Sequence, residues 1–198
     1  MTVPLNFTRP REQSRPGSVC RVILVVAATQ RELDAAREAE TLVCGIGPVD
    51  AAAATARVLT ERRPDAVLHV GIAGARGLAV LSLVIGSEAV YEDVQGSLVP
   101  ARVEADATLV AAARRALPEA RVLPIGTSAH IGGTSACEVE AMEGFAVLRA
   151  AAIEGVPAVE VRVVSNEVDE SDRTRWRLDE ALDTLADAVP RLLAELER

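Results

Sequence analysis

The sequence predicts an α/β domain in which buried strands and Ala-rich helices follow one another along the chain. Residues 21–28 form a continuous β-branched run, as expected for a strand that is covered on both faces. Residues 157–164, PAVEVRVV, place alternate valines on one side of a second strand. Apolar residues at helical spacing in residues 48–63 and 106–117 supply helices that can cover such a sheet.

Composition bounds the class of protein. The 198 residues fit one domain, and a hydrophobic content of 49% supplies a sizeable core. Aromatic residues make up only 2%, which argues against a stacking surface for nucleic acid. The net charge of −8 disfavours a polyanionic partner, and no apolar run is long enough to cross a bilayer. We therefore expect neither nucleic acid nor a membrane as a partner.

The first 19 residues are predicted to be a flexible tail, followed by a single domain over residues 20–198. Basic residues followed by VILVVAA resemble a secretory signal superficially. However, the apolar run is short, the segment before it is long and Pro-rich, and the same residues make a good first strand. A cytoplasmic location is therefore favoured.

The cysteines and histidines show no metal-binding pattern. Three cysteines, an odd number, lie far apart, and the two histidines do not complete a ligand spacing with them. The residues concerned are Cys20, Cys44, Cys137, His69 and His130. We expect reduced thiols and no metal or organic cofactor.

A polar turn and a glycine turn follow the first strand. Thr29 and Glu32 fit a capping box at the start of a helix. A short strand, Thr41 to Cys44, leads into residues 45–48, GIGP. This turn lacks the third glycine of a dinucleotide-binding motif, and Pro48 at the first helical position explains it without a phosphate. The helix that follows, residues 48–63, is predicted to bury Val49, Ala52, Ala53, Ala56 and Leu59.

The middle of the chain continues the alternation of elements. Ala66 to Val70 is predicted to be a strand that leads into residues 71–75, GIAGA, where glycines allow close approach of the backbone to a ligand. His69 is expected to lie in the core or at a subunit interface. Val80 to Tyr91 is predicted to be a strand bent at Gly86.

The later elements are predicted from spacing and breakers. Residues 106–117 form a helix, residues 121–125 a strand, and residues 126–137 a loop. Ser128 and His130 in that loop are candidate substrate contacts, with a solvated loop as the alternative. The last helix starts at Ser171 or Asp172, and Pro190 should kink or break it.

The most informative stretch is Glu138 to Glu170. It predicts a helix carrying Met142 and Glu143, a stop at Gly155 and Pro157, and a strand ending in Ser165-Asn166. The carboxyl end of such a strand is where ligands bind in open α/β sheets. Glu143 stands among apolar residues and needs a partner, which the two hydroxyls of a sugar would supply.

AMEGFAV (141–147) and VVSNEVDE (163–170) resemble the nucleoside phosphorylase and nucleosidase superfamily. With Asp172, Arg173 and Trp176 the run most resembles the futalosine hydrolase family, which serves the futalosine route to menaquinone. The resemblance implies a three-layer αβα fold with a mixed central sheet, no cofactor, and a homodimer or larger homo-oligomer. It also implies cleavage of an N-glycosidic bond in a purine nucleoside.

The resemblance assigns roles near the sugar. It implies that Met142 and Glu143 hold the ribose, with Phe145 in the same motif, and that residues 72–74, Ile72, Ala73 and Gly74, border the sugar and base. Ile72 replaces a polar residue that is usual in the superfamily. Glu32 falls where the hydrolases place the glutamate that activates water; a purely capping role is the alternative.

Two further residues concern specificity. Superfamily members that act on 6-aminopurines usually carry aspartate where this chain has Asn166. An amide can donate to a 6-oxo group and accept from a protonated N7, which predicts hypoxanthine as the leaving base. The alternative is that Asn166 only caps a turn. Arg173 is predicted to bind the carboxylate of futalosine's benzoate arm; packing at a helix start with a surface ion pair is its alternative.

Hydrolysis is predicted over phosphorolysis, because His69 and Val70 stand where the phosphorylases carry an arginine. Arg31 and Arg76 could still reach a phosphate. Two alternatives therefore stay open. One is a purine nucleoside phosphorylase or methylthioadenosine-type nucleosidase, and the other is a degenerate nucleoside-binding protein, suggested by Ile72 and the short 126–137 loop.

Overall fold

The computed structural model describes residues 21–36, 38–94, 96–134 and 136–198. The tail predicted for residues 1–19, and Cys20, lie outside these ranges. Among the described residues, no helix is both long enough and apolar enough to span a bilayer. Cys44 and Cys137 are free thiols, as predicted, and burial raises the pKa of each to about 12.

The described residues form eight strands and five α-helices. The strands are β1 (Ile23–Ala27), β2 (Glu40–Val43), β3 (Ala66–Ala75), β4 (Leu83–Tyr91), β5 (Arg102–Glu104), β6 (Arg121–Thr127), β7 (Val139–Ala141) and β8 (Ala158–Glu167). The helices are α1 (Gln30–Leu33), α2 (Pro48–Arg62), α3 (Ala107–Ala116), α4 (Gly144–Glu154) and α5 (Leu178–Leu196), with 3₁₀ turns at Asp34–Ala36 and Arg173–Arg175.

The strands form one mixed sheet, which confirms the predicted sheet type. Its order is β2-β1-β3-β7-β6-β4-β5, and β8 bridges β3 and β4. β1, β2, β3 and β8 run parallel to their neighbours in this group, whereas β8 pairs antiparallel with β4 and β7 pairs antiparallel with β3. The pairings close β3, β8, β4, β6 and β7 into a ring, so the ends of β3 and β8 meet at one rim.

Helices cover both faces, which confirms the three-layer αβα prediction. One core packs α3 and α5 on alternate residues of the central strands, such as Val70 and Val161. The second packs α2 and α4 on the opposite face, where Leu24 and Val67 lie. Burial of these apolar faces is the main stabilising contribution to the fold.

The prediction of which face of α2 is buried was wrong. The buried residues are Ala51, Thr55, Val58 and Leu59, whereas Val49 is 79% exposed. Of the five residues predicted to be buried, only Leu59 is. Consecutive alanines explain the error, because they carry almost no periodic signal and leave the rotation of the helix undetermined.

Other boundaries were also wrong. The helix predicted to carry Met142 and Glu143 begins only at Gly144, and residues 139–141 before it form strand β7, because they pair with β3 and β6, contacts that local periodicity does not reveal. β3 continues through the glycine run to Ala75, and β5 was not predicted. α5 begins at Leu178 and passes through Pro190 without ending. The buried neighbours of Pro190, Val189 and Leu192, hold the helix in the core despite the missing N–H.

Candidate active site

A row of polar side chains lies on one face of β3 and β8. His69 is in register with Glu160, and Gly71 with Arg162. Side chains alternate along a strand, so these positions share the face that packs against α2 and α4. His69, Glu160 and Arg162 are each no more than 1% exposed. Such burial of charged groups requires partners, and the chain supplies them.

Arg162 is the centre of this group. Its Nε–H donates to Glu160 Oε1 at 2.7 Å, Nη1 donates to the carbonyl of Ile72 at 3.4 Å, and Nη2 lies 3.7 Å from Glu143 Oε2. Burial alone would lower the pKa of the guanidinium, but Glu160, Glu143 and Glu32 raise it above its ordinary value. Arg162 is therefore a fixed positive charge among three carboxyl groups.

His69 is a core residue, as one of the two predicted alternatives had it. Its Nδ1 lies 2.9 Å from the carbonyl of Val26, so that nitrogen carries the proton, and Nε2 accepts from Arg162 Nη2. Burial, and then the charge of Arg162, hold the pKa of His69 well below its ordinary range. The imidazole is neutral and orients the guanidinium.

Glu143 lies at the junction of β7 and α4 and is 4% exposed. Its Oε1 accepts from the backbone N–H of Gly47 at 2.9 Å, and its Oε2 faces Arg162. Burial raises the pKa of this carboxyl above its usual value, while Arg162 and the Gly47 N–H act in the opposite direction. The glycine turn after β2 thus belongs to the site, although it holds no dinucleotide motif.

Glu32 makes both contacts that its two interpretations require. Its Oε2 accepts from the N–H and the hydroxyl of Thr29 at 2.9 and 2.8 Å, so the capping box is formed. Its Oε1 accepts from the Ile72 N–H at 3.2 Å. The capping role therefore uses one oxygen, and the other faces the glycine run of β3. The catalytic role stays a prediction.

Gly71 lets the carboxylate and the guanidinium approach each other. A Cβ atom at this position would overlap Arg162 Nη1 and would lie 2.6 Å from Glu32 Oε1. No side chain fits there without displacing one of the two groups. We call Glu32, Glu143, Glu160, Arg162 and His69 the carboxylate–arginine cluster.

Asn166 lies at the carboxyl end of β8 and is 6% exposed. Its Oδ1 accepts from the hydroxyl of Ser165 at 2.8 Å, and its Nδ2 donates to the carbonyl of Glu167 at 3.0 Å. Gly74 is in register with it, and a Cβ on Gly74 would lie 3.2 Å from Nδ2. We call Ser165, Asn166 and Gly74 the amide site.

The other predicted binding residues surround these two groups. The side chain of Ile72 packs against the core below α3 and α5, so its contribution to the cluster comes from the backbone. Ala73 is buried, and its carbonyl lies 3.2 Å from the Ser165 hydroxyl, whose single hydrogen is directed at the nearer Asn166 Oδ1 or shared between the two oxygens. Met142 is half-buried beside Glu143. Phe145 stacks on Tyr91 with a centroid distance of 5.0 Å.

Carboxylates accept hydrogen bonds from the loop between β6 and β7 and hold it in place. Glu140 accepts from the N–H and hydroxyl of Thr134 at 2.8 and 2.7 Å. Asp93 accepts from the Ser128 hydroxyl at 2.8 Å, so Ser128 does not donate to His130, which lies 3.4 Å away. This loop is ordered by hydrogen bonds, and its Ser-His-Asp set lacks the geometry of a nucleophilic triad.

Arg173 lies on the exposed 3₁₀ turn before α5. Its guanidinium sits 5.7 Å from the ring centroid of Trp176, whose indole N–H donates to the carbonyl of Glu170. The turn is tied to the amide site because the Arg177 N–H donates to the Ser165 carbonyl at 2.9 Å. These contacts are of the kind expected if Arg173 only packs at the start of a helix. A contact of Arg173 with the substrate stays a prediction.

Of the predicted site residues, the structure places Glu32, Glu143 and Ile72 around Arg162. It places Asn166 beside Gly74, which lies two residues after Ile72 on β3. Arg162 and Glu160 were not predicted to be site residues. The signal was present, because two opposite charges at i and i+2 of an otherwise apolar strand must share one face. The contact of Gly47 with Glu143 spans 96 residues and has no comparable local signal.

The fold and site together define an α/β protein with a buried, mostly acidic polar site on its mixed sheet, and comparison with known proteins identifies the family. Residues 35–198 match the Phosphorylase superfamily, and the chain belongs to that family. This confirms the resemblance inferred from the motifs.

Individual relatives narrow the comparison. The chain is 37% identical over 188 residues to the futalosine hydrolase of Streptomyces coelicolor, covering 80% of each chain. It is 33% identical to the 5′-methylthioadenosine/S-adenosylhomocysteine nucleosidase of Geobacillus kaustophilus, covering 65% of this chain and 67% of that protein. A solved futalosine hydrolase mutant of Helicobacter pylori shares the fold with a TM-score of 0.80, at 18% identity, over 87% of this chain and 98% of that one.

Proposed function

We propose that this protein hydrolyses the N-glycosidic bond of futalosine, releasing hypoxanthine and dehypoxanthine futalosine in the route to menaquinone. The observation that carries the proposal is the carboxylate–arginine cluster, in which Glu32 and Glu143 converge on one guanidinium beneath the glycine run. The similarity to the Streptomyces coelicolor futalosine hydrolase supports the choice of substrate.

The cluster fits the charges that develop during bond cleavage. The sugar gains positive charge, which the carboxylate of Glu143 stabilises while it accepts hydrogen bonds from the ribose hydroxyls. Glu32 Oε1 faces the glycine run and serves as the base that removes a proton from the attacking water. Met142 and Phe145 pack beside the sugar.

The same cluster favours water over phosphate as the nucleophile. Its one guanidinium is surrounded by three carboxyl groups, which would repel an anion. Arg31 is held at 2.7 Å by Asp179, and Arg76 contacts Thr134 and lies 3.9 Å from Asp169. Neither arginine that the sequence left open for phosphate is therefore directed at the cluster by its contacts.

The amide site supports hypoxanthine as the leaving base. The contacts with Ser165 and Glu167 orient the Asn166 amide, leaving one lone pair on Oδ1 and one hydrogen on Nδ2. That pair of groups matches a protonated N7 and a 6-oxo group. An aspartate would oppose the 6-oxo group with a second acceptor.

The proposal includes a homodimer or larger homo-oligomer in the cytoplasm. Ile46 and Val49 beside the glycine turn are 64% and 79% exposed, and Val43 is 44% exposed. An apolar surface of this kind next to the site is suited to contact with a second copy. Analytical ultracentrifugation of the wild type and of Val49→Asp tests this assembly: a monomeric wild type contradicts it.

Chromatography of products tests the function. The purified protein is incubated with futalosine, inosine and 5′-methylthioadenosine, each with and without phosphate. We expect hypoxanthine from futalosine at equal rates in both buffers. Preferred release of adenine from methylthioadenosine would establish the alternative nucleosidase, and dependence on phosphate would establish a phosphorylase. Tight binding of futalosine without product would establish a degenerate binding protein.

A further inference from the structure

Glu160 is a buried acid to which the proposed mechanism assigns no role of its own. It is 0% exposed, and its Oε1 accepts from Arg162 Nε at 2.7 Å. Its Oε2 has no hydrogen-bond partner among the described residues. Room for this carboxyl is provided by Gly144, because a Cβ there would overlap both oxygens.

Glu160 acts on one edge of the guanidinium. It takes the Nε–H and leaves both terminal nitrogens to other groups. Nη1 reaches the Ile72 carbonyl, whereas Nη2 contacts His69 and faces Glu143. An arginine side chain has many rotamers, and a bond to Nε together with one to Nη2 selects a single orientation of the planar group.

A role in stability does not explain this pair. Removing two charges from water costs about as much as their attraction returns, so apolar residues of similar volume stabilise a core as well or better. Glu160 also leaves one buried oxygen unpaired, which is unfavourable. The role of Glu160 is therefore better explained by the group that it orients.

We propose that Glu160 is a positioning residue that fixes the orientation of the Arg162 guanidinium. In this orientation one terminal nitrogen faces Glu143, and the other faces Ile72, whose N–H donates to Glu32. The inference rests on the proposed function. Glu160 touches no substrate, and its effect on turnover passes through Arg162 alone. Misplacement of a catalytic group by about 1 Å can lower a rate about 100-fold, so loss of this anchor should be measurable.

A double-mutant cycle tests the dependence on Arg162. Glu160→Gln keeps the shape of the side chain but replaces the charge-assisted bond to Nε with a weaker neutral one, so the guanidinium is held less firmly. We expect kcat for futalosine to fall about tenfold or more while KM changes less than about threefold. In an Arg162→Met background the same substitution should cause no further loss beyond about twofold, since both the guanidinium and its charge are gone. Equal fold losses in both backgrounds, or wild-type kcat in Glu160→Gln, would overturn the proposal.

Val159→Ala is the matched control for loss of packing. Val159 is the fully buried neighbour of Glu160 and faces the opposite core. Its truncation should lower Tm without reproducing the split between kcat and KM. If Val159→Ala shows the same split, the effect of Glu160→Gln is only structural and the proposal fails.

Nitrogen NMR tests the anchor without depending on turnover or on the folding of a Glu160 variant. The Arg162 Nε–H resonance, assigned by its absence in Arg162→Lys, should exchange with water at least about tenfold more slowly than that of an exposed arginine such as Arg173. Exchange at the rate of Arg173 would overturn the inference. Absence of futalosine turnover in the wild type would instead remove the proposed function.

Discussion

The carboxylate–arginine cluster and the amide site are built differently. The cluster holds three buried carboxyl groups whose charges act on one guanidinium, and Glu143 and Glu32 also accept hydrogen bonds from the backbone of Gly47 and Ile72. The amide site is neutral, and the hydrogen bonds of Asn166 are to the adjacent residues Ser165 and Glu167. Charged side chains from three distant parts of the chain are suited to catalysis, whereas a neutral site centred on one short segment is suited to recognition.

This difference separates rate from selectivity. Changes in the cluster should slow the cleavage of every nucleoside, because they act on the sugar and the water. Changes at the amide site should alter which base is released. The two regions meet along β3, where Ile72 serves the cluster and Ala73 and Gly74 serve the amide site.

The largest expected effect is that of Glu32→Gln. A neutral amide cannot remove a proton from water, so kcat should fall about 1,000-fold or more for all substrates, while the Kd for futalosine stays within about threefold. Single-turnover kinetics and calorimetric titration measure the two quantities. Near-normal turnover would return Glu32 to a purely capping role.

Thr29→Ala is the control for capping. It removes the hydroxyl that donates to Glu32 Oε2. It keeps the Glu32 carboxylate and the backbone N–H of residue 29, which also donates to this oxygen. Loss of such a capping contact costs about 1 kcal/mol of folding free energy. We expect a lower Tm with a far smaller loss of kcat than in Glu32→Gln. Equal losses of kcat in the two variants would show that the cap, rather than the base, limits the rate.

Glu143 links the cluster to pH. Burial raises the pKa of this carboxyl, so the ribose contact is lost as the pH falls through that raised value, and the acid limb of kcat/KM should lie above pH 4.5. Glu143→Gln should lower kcat/KM about 100-fold and remove this contribution to the limb. An unchanged acid limb in the variant would exclude Glu143 as its origin.

The raised pKa of Glu143 makes folding stability change with pH in the direction opposite to kcat/KM. A carboxyl whose pKa is higher in the folded than in the unfolded state stabilises the fold fully below the unfolded value, and that contribution is lost as the pH rises through the folded value. Starting near pH 4.5 and going upward, the wild type should therefore lose folding free energy relative to Glu143→Gln. Chemical denaturation of both proteins over this range measures the difference.

Asn166→Asp tests the amide site with an effect of intermediate size. A carboxylate favours a 6-amino over a 6-oxo purine, so the ratio of kcat/KM for futalosine to that for 5′-methylthioadenosine should fall about 100-fold. Ser165→Ala, which removes only the hydroxyl that orients Oδ1, should lower kcat/KM for futalosine less and leave the ratio closer to wild type. An unchanged ratio in Asn166→Asp would restrict Asn166 to capping a turn.

Sequence alone gave the amide site more completely than the cluster. Ser165 and Asn166 are adjacent and end a buried strand, so a local pattern together with the rule for strand ends placed them. Glu143 was identified because a carboxylate among apolar residues needs a partner. The proposed partner was a sugar diol, and the structure adds Arg162 and the Gly47 N–H.

What escaped prediction depends on non-local pairing. The three residues of β7 form a strand only because β3 and β6 flank them, and Glu140 on this strand accepts a hydrogen bond from Thr134 in the loop before it. The face of α2 was misassigned because alanines are interchangeable in a periodic pattern. Neither error moved a proposed catalytic residue, because Glu32 follows β1 and Asn166 lies at the carboxyl end of β8, as predicted.

The smallest expected effect concerns the substrate's benzoate arm. Arg173 is exposed and rests on Trp176, so a contact with the carboxylate would be screened by solvent and worth about 1 kcal/mol or less. Arg173→Ala should raise KM for futalosine about threefold to fivefold and leave that for inosine unchanged, because inosine lacks the arm. Arg175→Ala is the matched control, since Arg175 lies in the same turn and pairs with Glu170 at 2.9 Å. Equal effects of Arg173→Ala on both nucleosides would assign Arg173 to packing and confine selectivity to the amide site.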